Sequence, residues 1–159
     1  MTLTTEERVY GFLKAAVDAA TATNDAGQPL FGLEVHDHFS RRIKTNAGIR
    51  VGTASGQLSP FEGGEDFGEY NVRLLLVIYV RITSTQKDDD ERTLAMRQVA
   101  DIAKAVAQLF WDSPSCDERF RDTRCYDFVR GYDSLNKADS YAVANLTLLV
   151  NQIGQSIGG

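Results

Sequence analysis

The chain has 159 residues, 43% of them hydrophobic and 25% charged, and a formal net charge of −5. That length suits one domain with a sizeable core. The acidic balance argues against a dedicated nucleic-acid binder, which needs a basic patch or stripe. No apolar run approaches the roughly 20 residues of a membrane helix.

The opening MTLTTEERVYG carries acids where a signal peptide needs cations and then an apolar stretch, so synthesis and folding in a cytoplasm are expected. Thr4 followed by Glu7 fits a capping box, and Val9, Phe12, Leu13, Ala16, Val17 and Ala20 form a stripe at helical spacing. Together they predict an amphipathic helix over residues 4–24, stopped by Asn24-Asp25-Ala26-Gly27-Gln28-Pro29.

Residues 30–44 are ambiguous: LFGLEVHDHF reads as a short strand and FSRRIK as the start of a helical turn. If EVHDH is extended, Glu34, His36 and His38 share one face, and two histidines with a carboxylate can ligate zinc. The spacing alone is a weak signal, and surface or interface polarity is the plainer reading. Arg41, Arg42 and Lys44 form a small basic cluster, either a solvated ion-pairing face or a contact to passing DNA phosphates.

Ile49, Val51 and Thr53 alternate in a short strand over residues 49–54. Residues 52–68 follow, with five glycines and Pro60 but no period, and read as the tip of an extended hairpin. Those glycines match neither dinucleotide nor phosphate-loop patterns.

The dominant element is the stretch 69–84. Tyr70, Val72, Leu74, Leu76, Ile78, Val80 and Ile82 alternate without a polar break, the mark of a strand with one buried face. Its other face is apolar in the middle and polar at both ends. At roughly 3.3 Å per residue it would run about 50 Å, and so is expected to reach past its own core.

Asp88, Asp89, Asp90 and Glu91 open a second helix, where carboxylates sit well against the positive end of the helix. This acidic run lacks the spaced ligands of a calcium loop. Met96, Val99, Ala103, Val106 and Phe110 form its apolar face, widened by Ile102 and Leu109, and Asp112-Ser113-Pro114 ends it. Trp111 reads as a core plug at the helix end.

Residues 123–132 alternate as a strand with mixed faces, Arg124, Tyr126, Phe128, Arg130 and Tyr132 against Cys125, Asp127, Val129 and Gly131. A polar turn over residues 133–139 leads to a last strand, 141–153, with Ala142, Ala144, Leu146, Leu148 and Val150 on one face. The tail 154–159 is expected to fray. Cys116 and Cys125 lack CxxC spacing and are too few for a disulfide framework; two free thiols are the simpler reading and a short-loop bridge the other.

These elements predict a single α+β domain: a mostly antiparallel β-sheet with two main helices packed on one face and a protruding β-hairpin. No nucleophile elbow or comparable catalytic pattern is present, and no enzymatic activity, cofactor or bound metal is expected.

The run EYNVRLLLVIYVRI, an acid-opened alanine-rich helix, and then FVRGYDSLNKADSYAVANLTLLV resembles the tail terminator proteins of long-tailed bacteriophages. The most telling part is Gly131-Tyr132-Asp133, the turn containing Asp139, and Ala144-Asn145-Leu146-Thr147 in the closing strand. The likeness is architectural and extends to the first helix and the glycine-rich hairpin; residues 31–45 match nothing in it.

The resemblance implies a virion protein of the tail and neck: a ring, usually a hexamer, at the head-proximal end of the tail tube. Such a ring halts tube polymerisation and faces the head–tail connector. The implied partners are copies of the chain, the tail tube protein and the connector, with DNA passing through the lumen unbound and no membrane involved. Neighbour- and tube-facing contacts would fall at Phe61, Glu62, Glu65, Asp66, Phe67, Arg73 and Arg81, and at Asp133, Asn136 and Lys137 near the later turn. The alternatives are another head–tail joining or tail completion protein, a small non-viral binding domain, or an enzyme using Glu34, His36 and His38.

Overall fold

A computed structural model describes residues 3–23, 27–37, 45–60, 67–82, 89–117, 120–133 and 140–153. In chain order the elements are α1 (Thr5–Ala22), β1 (Glu34–His36), β2 (Ala47–Pro60), β3 (Phe67–Arg81), α2 (Asp89–Asp112), β4 (Phe120–Asp133) and β5 (Tyr141–Ile153). The strands form one five-stranded sheet in the order β1-β2-β3-β5-β4. Among the described residues, the β1–β2 pair is parallel and the other three are antiparallel.

Helix α1 starts where its cap chemistry says it should. The Thr4 hydroxyl accepts from the Glu7 N–H at 3.1 Å, and the Glu7 carboxylate accepts from the Thr4 N–H at 3.3 Å. Each side chain thus satisfies an N–H that the first turn leaves open. Val9, Leu13 and Val17 are buried on its inner face. The start of α1 is tied across the sheet end by the Thr5 hydroxyl, which donates to Gln152 Oε1 at 2.6 Å. Arg8 reaches Asp117, beyond the end of α2, at 2.7 Å.

Both helices pack on the same sheet face. Their apolar stripes join Ile49 and Val51 of β2, Val72, Leu74, Leu76 and Ile78 of β3, and Ala144, Leu146, Leu148 and Val150 of β5 in one cluster. Phe12 of α1 meets Phe110 of α2 with ring centroids 5.2 Å apart. Each fully buried aliphatic side chain here contributes about 1.5–3 kcal/mol.

Strand β3 pairs with β5 from Glu69 to Arg81, and β2 pairs with β3 as far as Pro60 opposite Phe67. The glycine-rich stretch read as a loop from residue 52 is therefore ladder up to Pro60. Its weak intrinsic strand preference is overridden by a strongly strand-forming partner. Gly52 and Gly56 are suited to the place, because a Cβ on either would press on the β3 backbone, at Leu75 O and Asn71 O. The register shift between Val51 and Ala54 is a bulge in the same segment. The long strand is matched by its neighbours β2 and β5, so most of its length lies within the subunit's own sheet.

Strict alternation fails in β4. A register shift between Cys125 and Asp127 moves Cys125 onto the helix-covered face with Phe128, opposite Leu148 and Leu146. Arg124 and Val129 lie on the open face, opposite Leu149 and Asn145. Trp111, read as a core plug, is 78% exposed, because it follows Phe110 and points away from the side of α2 that meets the sheet. Cys116 and Cys125 are free, half-buried thiols, both pushed up to about 11 chiefly by burial.

Candidate assembly surfaces

The face of the sheet opposite the helices is divided into two unlike ends. At one end Tyr79, Tyr141 and Val143 form a small second core with Val77. Tyr79 and Tyr141 meet edge-on with centroids 5.6 Å apart. The Tyr79 hydroxyl, fully buried, lies 2.6 Å from His36 Nε2 and 2.6 Å from Thr45 Oγ1. His36 Nδ1 lies 3.7 Å from Glu34 Oε1.

One proton arrangement satisfies all these atoms. Thr45 donates to the Tyr79 oxygen, Tyr79 donates to Nε2, and the Nδ1 proton faces Glu34. Burial pushes the His36 pKa below 6.5, with Arg50 acting in the same direction and Glu34 and Asp37 opposing. Burial also pushes the Tyr79 hydroxyl up to about 12. A neutral histidine and a tyrosine that resists ionisation make this a lock between β1, β3 and the approach to β2.

Gly48 makes room for the lock: a Cβ there would stand 2.5 Å from the Tyr79 hydroxyl and 2.5 Å from the Glu34 carbonyl oxygen. Glu34 and His36 do share a face, as their alternation predicts, while His38 lies outside the described residues. Among the described residues, no three His, Cys, Asp or Glu side chains gather as metal ligands.

The other end of the open face is wet and concave. Ser55, Asn71, Arg73, Asp122, Arg124 and Asn151 line a hollow of about 840 Å³. Asn151 donates to Asn71 across β5 and β3 at 3.0 Å, and Arg124 pairs with Asp122 at 2.6 Å. Such exposed pairs contribute at most about 1 kcal/mol. Between the two ends, Leu75 is 41% exposed. Val129, on the same face of β4, is 62% exposed.

Both sides of the sheet also carry unpaired backbone among the described residues. β4 pairs only with β5, leaving its outer edge open. Among the described residues, β1 covers β2 only at Gly48, Ile49 and Arg50, and nothing pairs with the outer edge of Val51–Pro60. The strand directions make β2 and β4 antiparallel to each other.

Of the contact residues taken from the resemblance, Arg73 lies in the hollow and Arg81 is half-buried at the opposite end of β3. Phe67 and Asp133 occupy strand ends, opposite Pro60 and Tyr141. Phe61, Glu62, Glu65, Asp66, Asn136 and Lys137 lie outside the described residues, as do Arg41, Arg42, Lys44 and the tail 154–159. Arg73 and Arg81 are thus not brought together. Sequence reasoning missed Arg124 and the Tyr79–His36 lock. The first needed the β4 bulge, and the second pairs residues far apart in the chain.

No known family model matches the chain, and no curated protein matches it. The geometry defines a class, a one-sheet α+β domain with helices on one side and, among the described residues, two sheet edges without a paired strand. No helix among the described residues is long and apolar enough to cross a membrane.

Proposed function

We propose that the chain is a structural, non-enzymatic virion subunit. Copies join head to tail in a ring, usually a hexamer, that ends the tail tube of a long-tailed bacteriophage and faces the head–tail connector. The observation that carries this reading is the pair of edges, open among the described residues, on opposite sides of one sheet. Two different surfaces that complement each other generate heterologous contacts, and these close into a ring when the rotation per subunit allows. An unpaired edge left without a partner is an aggregation hazard, so two long ones in one small domain favour a partner at each.

Antiparallel running of β2 and β4 supports such an arrangement, because a neighbour placed beside β4 would continue the ladder in the same alternating sense. The tube protein and the connector are the further partners the resemblance implies. The acidic chain suits a lumen through which DNA passes without sticking.

Light scattering of the purified chain and electron microscopy of tails assembled with and without it test this together. A ring-sized mass and over-long tubes in its absence are the expected results. Tubes of normal length without the protein would overturn the stopping role.

A further inference from the structure

On the helix-covered side, α2 does not close over β4. Between them runs a groove in two contiguous parts that share Ala100 and Arg130. One part, of about 430 Å³, is floored by Ala103, Ala107, Cys125 and Leu146 and walled by Phe128. The other, of about 340 Å³, runs past Met96 to Tyr132. Phe128 is 58% and Tyr132 47% exposed, large aromatic surfaces left in water beside an open strand edge. Aromatic and arginine side chains of this kind dominate binding energy in protein interfaces.

The groove is also basic within an acidic chain. Arg92 lies over the Tyr132 ring at 4.8 Å, and Arg130 lies 5.7 Å from the Phe128 ring centroid. Arg97 and Lys104 stand on the helix wall. Among the described lining residues, Asp101 is the one acid.

The complement lies in the middle of the same chain. Residues 58–69, LSPFEGGEDFGE, carry four acids, Glu62, Glu65, Asp66 and Glu69, and no base, together with Phe61 and Phe67. We infer that the groove between α2 and β4 is the socket for this acidic hairpin end of a second copy.

Register explains why the hairpin end arrives there. Through the ladders, Gly48–Arg50 of β2 stand level with Val129–Gly131 of β4. In a neighbour set directly alongside, β1 would stand between β2 and the β4 edge. For β2 to reach that edge, β1 must clear the end of β4 at Asp133, a slide of about five residues or ~17 Å. The slide carries the neighbour's hairpin end from beyond Phe120 until Ser59 and Pro60 stand about level with Cys125 and Thr123, at the near end of the groove.

The inference rests on the head-to-tail reading, and a charge swap separates the two. Full-length protein is followed by light scattering over a concentration series. Lys104→Glu with Arg130→Glu should raise the concentration needed for assembly at least tenfold, as should Glu65→Lys with Asp66→Lys. All four together should return it to within about threefold of the parent. All four sites are charged in the parent, and unchanged circular dichroism melting of each variant separates lost docking from lost folding. Lys14→Glu, on the exposed side of α1, should change nothing. Parent-like assembly by both pairs would overturn the socket and leave the ring standing. A parent chain that stays monomeric at every concentration would overturn both. Assembly lost on removing residues 154–159 but not in the Glu65→Lys, Asp66→Lys pair would give the groove to the C-terminal tail instead.

Discussion

The two faces of β3 are made by the same fifteen residues and meet opposite fates. On the helix side, Val72, Leu74, Leu76 and Ile78 are all buried under α1 and α2. On the open side, Leu75 is 41% exposed while Tyr79, four residues on, is completely buried. Alternation sets which face a side chain joins, but not whether that face is covered. The helix side is covered by apolar stripes that any aliphatic residue can fill. The Tyr79 end is held by specific polar partners, and the Arg73–Arg124 end remains wet.

This contrast can be broken at its strongest point first. Leu76→Ala on the covered face should cost about 2–5 kcal/mol, read from urea unfolding, because neighbouring side chains cannot fully collapse into the gap. A loss under about 1 kcal/mol would mean the helices do not seal that face. Gly48→Ala should cost about 1–3 kcal/mol, since the new methyl meets the Tyr79 hydroxyl and a backbone oxygen that must move. Tyr79→Phe should cost about 1–3 kcal/mol by stripping His36 and Thr45 of their shared partner.

The lock also makes a pH signature. The His36 pKa is lower folded than unfolded, so below pH 6.5 the unfolded chain takes up a proton that the folded chain refuses. The His36 contribution to stability is therefore whole above pH 6.5 and lost as pH falls toward the folded pKa. Melting temperature followed from pH 7.5 downward should fall in the parent, and His36→Gln should flatten that part of the slope. A parallel decline in both would assign the effect to other groups. The smallest effect belongs to Leu75→Ser on the open face, expected to change the stability of the subunit by no more than about 0.5 kcal/mol. A large loss would show that this face is covered after all.

Much of the fold is legible because it follows from period. The capping box at Thr4, the stripes of α1 and α2, and the alternation of β3 and β5 all appear in the sequence and in the structure in the same places. What escapes is what depends on a partner elsewhere. Glycines 52 and 56 look like loop but serve a ladder, because β3 supplies the strand preference and needs their lack of a side chain. One extra residue in β4 between Cys125 and Asp127 reverses the faces of everything after it, and no local pattern announces it. The exposure of Trp111 follows from where the sheet stops. The groove beside β4 is unreadable for the same reasons: Cys125 and Phe128 line it together only because of the bulge.

The three residues of β1 have an influence larger than their size. Among the described residues, β1 occupies the outer edge of β2 at Gly48–Arg50 and leaves Val51–Pro60 uncovered. It thereby acts as a doorstop: an added strand can seat from Val51 outward and nowhere earlier. In the proposed ring, the stagger between adjoining subunits would be set by where this short segment ends.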